Sequence, residues 1–247
     1  MPHAIQDVEV SSSRQQARQK QKTRSIPREL LQLTARLLDM QDLYNQSQLS
    51  QSMNSQLHTL VKAGTPITRI VSLGLGSLLV AKGQSRRLKQ LVILLAIRDR
   101  LQKEREEPIE VFAQDPTFTR SDKVLLASLG IQILHTPSGS DLGEAAAFIT
   151  AATLVYSPFL TLEAYEQLIL RYGRGLQHLV GDNFDTLLQK WPKRSAERKQ
   201  VDGIMKTGLS KYRRRNVAGE GFWTQEDETF PMAVYTKTDV DKLKARI

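Results

Sequence analysis

The feature that most constrains the fold is an alternation running from residue 67 to residue 190. Short apolar, β-branched runs at Ile67–Leu73, Ile109–Ala113, Ile131–His135, Thr153–Tyr156 and Leu176–Val180 are separated by stretches with helical spacing. Helices are predicted over Ala81–Glu104, from a cap at Ser121 or Asp122 to Gly130, near Leu142–Phe148, and over Leu162–Arg171 and Asn183–Lys190. No hairpin signal joins one run to the next, so the connections are βαβ crossovers and the sheet is parallel. The runs are almost continuously apolar, as expected of strands buried on both faces. The expected fold class is α/β: a Rossmann-like open parallel sheet of about five strands with helices on both faces.

The flanks read differently. From Pro27, Leu30, Leu33, Leu37, Met40 and Tyr44 follow helical spacing. Ser, Gln and Asn crowd positions 45–56 before a second apolar set, Leu57, Leu60 and Val61. One interrupted helix or two short ones should dock on the core through that stripe. After Trp191-Pro192 the pattern dissolves, and Phe222, Trp223, Phe230 and Tyr235 stand among acids. The chain therefore divides into a basic, Gln/Ser-rich arm (1–26), an N-terminal helical segment (27–66), the α/β domain (67–190) and an irregular C-terminal extension (191–247).

Charge is concentrated in those flanks. The chain carries 35 Lys+Arg against 26 Asp+Glu, a formal +9. Residues 11–36 and 189–218 hold more than this excess, which leaves the rest of the chain net acidic. Lys193, Arg194, Arg213, Arg214 and Arg215 are candidates for phosphate contact with nucleic acid. Only Tyr212 interleaves with them and no RNA-binding signature is present, so a solvated basic face is the competing reading. The sequence has no cysteine, which removes disulfides and zinc-thiolate sites. No apolar leader opens it and no apolar stretch is long enough to span a bilayer. A cytoplasmic or nuclear protein is expected, with a small-molecule ligand and other proteins as partners, nucleic acid suggested only by the flanks, and no membrane.

In open parallel sheets, ligands bind beyond the carboxyl ends of the strands. Small and polar residues gather at those ends: Gly74-Leu75-Gly76-Ser77, Asp115-Pro116-Thr117, His135-Thr136-Pro137-Ser138-Gly139, Ser157-Pro158 and Gly181-Asp182-Asn183. Glycines let backbone approach a ligand, and Ser, Thr, Asn and Asp supply hydrogen bonds. The candidate ligand-binding set is Gly74, Gly76, Ser77, Asp115, Thr117, Ser157, Asp182 and Asn183. A helix beginning just past Ser77 would also present free amides to a phosphate or carboxylate. Turns of any parallel sheet use the same residue types, so each end taken singly is ambiguous.

Specific nucleotide fingerprints are incomplete. Position 79 is Leu where G-x-G-x-x-G needs its third glycine, and Asp115 lies 41 positions beyond Gly74. An acid after the second strand would still suit the ribose of a dinucleotide or of S-adenosylmethionine. No G-x-x-x-x-G-K-[ST] or G-x-S-x-G occurs, and His3, His58, His135 and His178 lack metal-ligand spacing. His135, at a strand end, is the one histidine to test as an acid or base. No catalytic residue, cofactor or metal is assigned, and whether the protein is an enzyme stays open.

Taken together, Ile70-Val71-Ser72-Leu73-Gly74-Leu75-Gly76-Ser77, Gln90, Asp115-Pro116-Thr117-Phe118-Thr119, Leu125…Leu129-Gly130, Ala152-Thr153-Leu154-Val155-Tyr156-Ser157-Pro158 and Gly181-Asp182-Asn183-Phe184 resemble the Sensitivity to Red Light Reduced family. This SRR-like resemblance covers roughly residues 67–190. It implies a regulatory role, including light and circadian signalling in plants, and implies no agreed catalytic activity. It also supports Asp115 and Gly74–Ser77 as a site. The family pattern continues the fourth-strand Pro with His-Cys, whereas this chain has Phe159-Leu160, so any role of that His is absent here. Ser157-Pro158-Phe159 is also similar to the post-strand-four motif of amino methyltransferases, one residue short. A Rossmann-like, methyltransferase-like transferase is the alternative reading, and a scaffold acting through basic flanks is a third.

Overall fold

The computed structural model describes residues 28–238, apart from 63, 65, 228 and 230. The basic arm expected over 1–26 lies outside the described residues. Two helices come first, α1 (Arg28–Gln46) and α2 (Gln48–Lys62). The break between them is one residue, not the polar stretch 45–56. Ser47 Oγ donates to the Tyr44 carbonyl (2.7 Å) and accepts from the Ser50 amide (3.1 Å), which ends one helix and caps the next. Leu30, Leu33, Leu37 and Tyr44 form the buried stripe of α1, and Leu49, Met53, Leu57 and Leu60 that of α2.

The alternating region follows as β1 (Arg69–Leu73), α3 (Gln84–Gln102), β2 (Glu110–Gln114), α4 (Arg120–Ser128), β3 (Ile131–Leu134), α5 (Ala145–Phe148) and β4 (Thr153–Ser157). Then come α6 (Leu162–Glu166, continued by a π turn over Gln167–Arg171), β5 (His178–Asp182) and α7 (Phe184–Lys190). The cap of α4 is Thr119, not Ser121 or Asp122. Its hydroxyl accepts the Asp122 amide while Asp122 accepts the Thr119 amide, a reciprocal capping box.

The C-terminal segment is not an irregular extension. It supplies α8 (Ala196–Gly203, continued by a π turn over Ile204–Gly208), β6 (Tyr212–Val217) and β7 (Met232–Lys237). The sheet has seven strands in the order β3-β2-β1-β4-β5-β7-β6. The five expected strands are parallel, and β7 runs antiparallel between β5 and β6. Because β7 pairs Gly181 with Ala233 and Asp182 with Met232, β5 extends through residues that read as a turn.

Successive strand residues point to opposite faces, and both faces are covered. Ile70, Leu154 and Val180 pack with α1 to α4, while Val71, Val155 and Leu179 pack with α5 to α8. Each such Leu, Ile or Val contributes about 1.5–3 kcal/mol on burial, so this two-sided core dominates the stability. A buried ion pair, Lys89 Nζ to Asp227 Oδ2 at 2.6 Å, fastens α3 to the loop between β6 and β7. No helix among the described residues is long and apolar enough to cross a membrane.

Candidate functional site

The order reverses at β1, whose neighbours are β2 and β4, so the loops after these strands flank the switch point where open α/β sheets bind ligands. The loop after β1 is tightly closed. Gly74 and Gly76 take φ of +73° and +75°, a region side chains disfavour. A Cβ on Gly76 would sit 2.5 Å from Arg87 Cδ. Asp115 Oδ2 accepts the Gly76 amide (2.8 Å), Thr117 Oγ1 the Ser77 amide (3.0 Å) and Asp122 Oδ1 the Leu78 amide (2.8 Å). From α3, Gln84 donates to the Leu78 carbonyl, and Arg87 donates to the carbonyls of Val80 and Lys82.

This overturns the expectation of a phosphate cradle. The first helix after β1 begins at Gln84 rather than just past Ser77, and the amides of Gly76, Ser77 and Leu78 are already taken. Asp115 is itself largely committed, since its Oδ1 accepts both the amide (2.8 Å) and the hydroxyl (2.6 Å) of Thr117.

Between these loops lies a cavity of about 220 Å³. Gly74, Gln114, Asp115 and Thr117 line one side, Thr136, Ser138 and Asp141 another, and Phe159 to Thr161 the third. Among the described residues, two carboxylates and no Lys, Arg or His line it. Three of the eight predicted residues, Gly74, Asp115 and Thr117, meet there. Gly76 and Ser77 stand behind as hydrogen-bond partners of Asp115 and Thr117. His135 is exposed and is not among the residues lining this cavity; its backbone amide donates to Glu144.

The other predicted residues separate. Ser157 is fully buried, and its Oγ has no hydrogen-bond partner. Asn183 caps α7, accepting from the Asp185 and Thr186 amides, and donates to Asn216 on β6. Asp182 opens instead on a second cavity, of about 730 Å³, across the Phe159–Thr161 loop. Burial pushes its carboxyl up to about 7, although hydrogen bonds from the Phe159 amide and Tyr165 and the charge of Lys190 oppose the rise. Lys193 and Arg194 are exposed before α8. Arg213 and Arg215 project from one face of β6 and Arg214 from the other, where Arg214 pairs with Asp185. The three arginines are therefore not one continuous patch. Three charges on an edge strand also discourage edge-to-edge pairing.

Phe159 was not singled out as a site residue from the sequence. It has φ +65°, the one non-glycine residue at positive φ among those described. Only its place after Pro158, where the family pattern is departed from, marks it in the sequence. Two other residues hold the loop beneath it: Gln90 Nε2 donates to the Pro158 carbonyl (3.3 Å), and Tyr156 donates to the Gln90 carbonyl (2.9 Å).

The sheet order and the cavity at its switch point define a Rossmann-like α/β domain. The chain belongs to the SRR1 domain family, whose model matches residues 37–231. Among solved structures it is similar in fold to cofactor-bound Rv0187 from MTB, at 12% identity, TM-score 0.48, and coverage of 83% of this chain and 89% of that one. It is also similar to the O-methyltransferase TomG from Streptomyces achromogenes in complex with SAM, at 11% identity, TM-score 0.46, and coverage of 76% and 80%. A third likeness is Aeropyrum pernix fibrillarin with natively bound S-adenosyl-L-methionine, at 11% identity, TM-score 0.42, and coverage of 70% and 67%. No curated protein matches the chain.

Proposed function

We propose that this SRR1 domain is a regulatory domain of the cytoplasm or nucleus that takes a small, nucleotide-like ligand at the carboxyl edge of its sheet. The observation that carries this reading is the 220 Å³ cavity at the switch point, lined by Gly74, Asp115 and Thr117 and carrying, among the described residues, two carboxylates and no cation. That lining suits hydroxyl and amino groups and repels phosphate, so the nucleoside part of the ligand is what it recognises. The volume is below the roughly 300–1,000 Å³ of complete small-molecule sites, so one moiety enters and the remainder lies over the Ser138–Asp141 rim.

Thermal denaturation with adenosine, S-adenosylmethionine, NAD and ATP tests this. A nucleoside, or the cationic sulfonium compound, should stabilise by about 2.7 kcal/mol at a hundredfold excess over its Kd, and ATP should do so least. Asp115→Ala should abolish the shift. Because Asp115 also holds Gly76 and Thr117, Asp141→Asn is the companion variant, weakening binding with the loop hydrogen bonds intact. No shift with any of the four compounds, or ATP as the strongest, overturns the reading. The transferase alternative draws on the second cavity abutting the first across Phe159–Thr161.

A further inference from the structure

The third wall of the first cavity is a turn that local preference opposes. Phe159, Leu160 and Thr161 form that wall, just past the end of β4 and Pro158. Phe159 takes φ +65°, a region bulky residues avoid because Cβ crowds the backbone. A residue held there persists only where its surroundings over-determine it. Gln90 Nε2 holds the entry to the turn through the Pro158 carbonyl (3.3 Å). Thr161 holds the exit by capping α6, its hydroxyl accepting the Ala164 amide (3.3 Å).

Between those two anchors, the Phe159 amide donates to Asp182 Oδ1 at 2.9 Å. Asp182 comes from the end of β5, is only 4% exposed, and is not among the residues lining the first cavity. The residue after Phe159 closes the wall onto the loop after β1. A Cβ on Gly74 would sit 3.0 Å from Leu160 Cδ1, so Leu160 covers the bare backbone of a glycine that itself holds φ +73°. Gly74 and Leu160 both line the cavity. Asp182 thus reaches the cavity through one hydrogen bond, one residue at positive φ and one side-chain contact.

We infer that Asp182 is a positioning residue for the cavity at the switch point: by accepting the Phe159 amide, it keeps the turn reversed and Leu160 seated against Gly74. Without that acceptor the part-buried Phe159 amide loses its partner, and the residue loses what fixes it at positive φ. The backbone then relaxes toward an extended form, Leu160 leaves Gly74, and the third wall opens. A carboxamide offers the same acceptor oxygen as a carboxylate, so the role requires the oxygen and not the charge. The consequence for binding rests on the nucleoside reading of this cavity. The consequence for the wall does not.

Nuclear Overhauser contacts between the Leu160 methyls and the Gly74 α-protons, in the isotope-labelled full chain, read the wall directly. Calorimetric titration with adenosine reads its use. Asp182→Asn should keep the contact and leave the adenosine affinity within about twofold of the unaltered protein. Asp182→Ala should lose the contact and weaken adenosine about tenfold, the worth of one hydrogen bond. Adding Phe159→Gly to Asp182→Ala should restore the contact, because glycine takes positive φ without a partner to hold it there. The Gly76 amide resonance, set by the bond to Asp115, should stay in place in every variant and reports that the fold is kept. Persistence of the Leu160–Gly74 contact in Asp182→Ala, or its loss in Asp182→Asn, overturns the assignment. Failure of the unaltered protein to bind adenosine counts against the nucleoside reading alone, and the contact still decides the role of Asp182.

Discussion

Two buried aspartates, one where α3 meets the β6–β7 loop and one at the end of β5, have opposite fates in the same fold. Asp227 accepts from Ser85 Oγ (2.7 Å), Lys89 Nζ (2.6 Å), and the amide (2.8 Å) and hydroxyl (3.0 Å) of Thr224. Burial alone would raise its carboxyl, but these partners outweigh it and hold the group below its ordinary value. At Asp182 burial wins, and the carboxyl rises to about 7. The first carboxylate is saturated with donors and acts as a fastening. The second accepts the Phe159 amide at 2.9 Å and lines the cavity across the Phe159–Thr161 loop. Burial by itself therefore says nothing about role; the number of donors does.

The sharpest way to break this comparison is to take the cation from the saturated site. Lys89→Met leaves Asp227 buried and uncompensated, and should lower stability by about 3–5 kcal/mol in urea unfolding. A loss below about 1 kcal/mol would place the pair in the class of solvated surface bridges.

Asp182 should act through pH instead. Its folded value is raised above the unfolded one, so the folded state holds the proton longer and stability falls as pH rises from about 4 to about 7. Over that window the fall should be roughly 2–4 kcal/mol. Asp182→Asn should flatten that limb of the stability curve, and an unchanged limb would show the carboxyl to be solvated.

The smallest effect belongs to His178 at the opposite end of β5. Both ring nitrogens are buried without a partner, and burial lowers its value from 6.5 to about 4. Its neutral form is the folded one, so stability is complete above about 6.5 and lost as pH falls toward 4. This runs against the Asp182 limb between about 4 and 6.5. Denaturant midpoints across pH should therefore expose each slope only when the other group is replaced. His178→Leu should remove roughly 2–3 kcal/mol of acid sensitivity, and a profile identical to wild type would reject the assignment.

The legible part of the molecule was the part governed by local pattern. Short continuous apolar runs and period-3.6 spacing located all five parallel strands and the helices between them, because burial on two faces leaves a continuous apolar run. The last two strands were not legible. Tyr212–Val217 carries three arginines, which read as solvated charge until the segment is known to be an edge strand beside Met232–Lys237. The end of β5 was misplaced for a related reason, since Gly181-Asp182 reads as a turn unless an antiparallel partner prolongs the strand.

At the candidate site, the sequence alone determined that the crossover loops of the parallel strands would share one edge, but not that the β5 end, with Asp182 and Asn183, would stand apart from the cavity at the switch point. Of the eight residues it proposed, Gly74, Asp115 and Thr117 line that cavity, and Gly76, Ser77, Ser157, Asp182 and Asn183 do not. Only the tertiary structure decided whether their groups remain available. The Gly76 amide and the Asp115 carboxylate, 39 positions apart, satisfy each other, and that turns an apparent phosphate loop into a closed one. The positive φ of Phe159, the second cavity and the opposite titration of Asp182 and Asp227 arise likewise from contacts between distant segments. Hydrogen-bond saturation and desolvation are properties of a place in space, and no spacing along the chain encodes them.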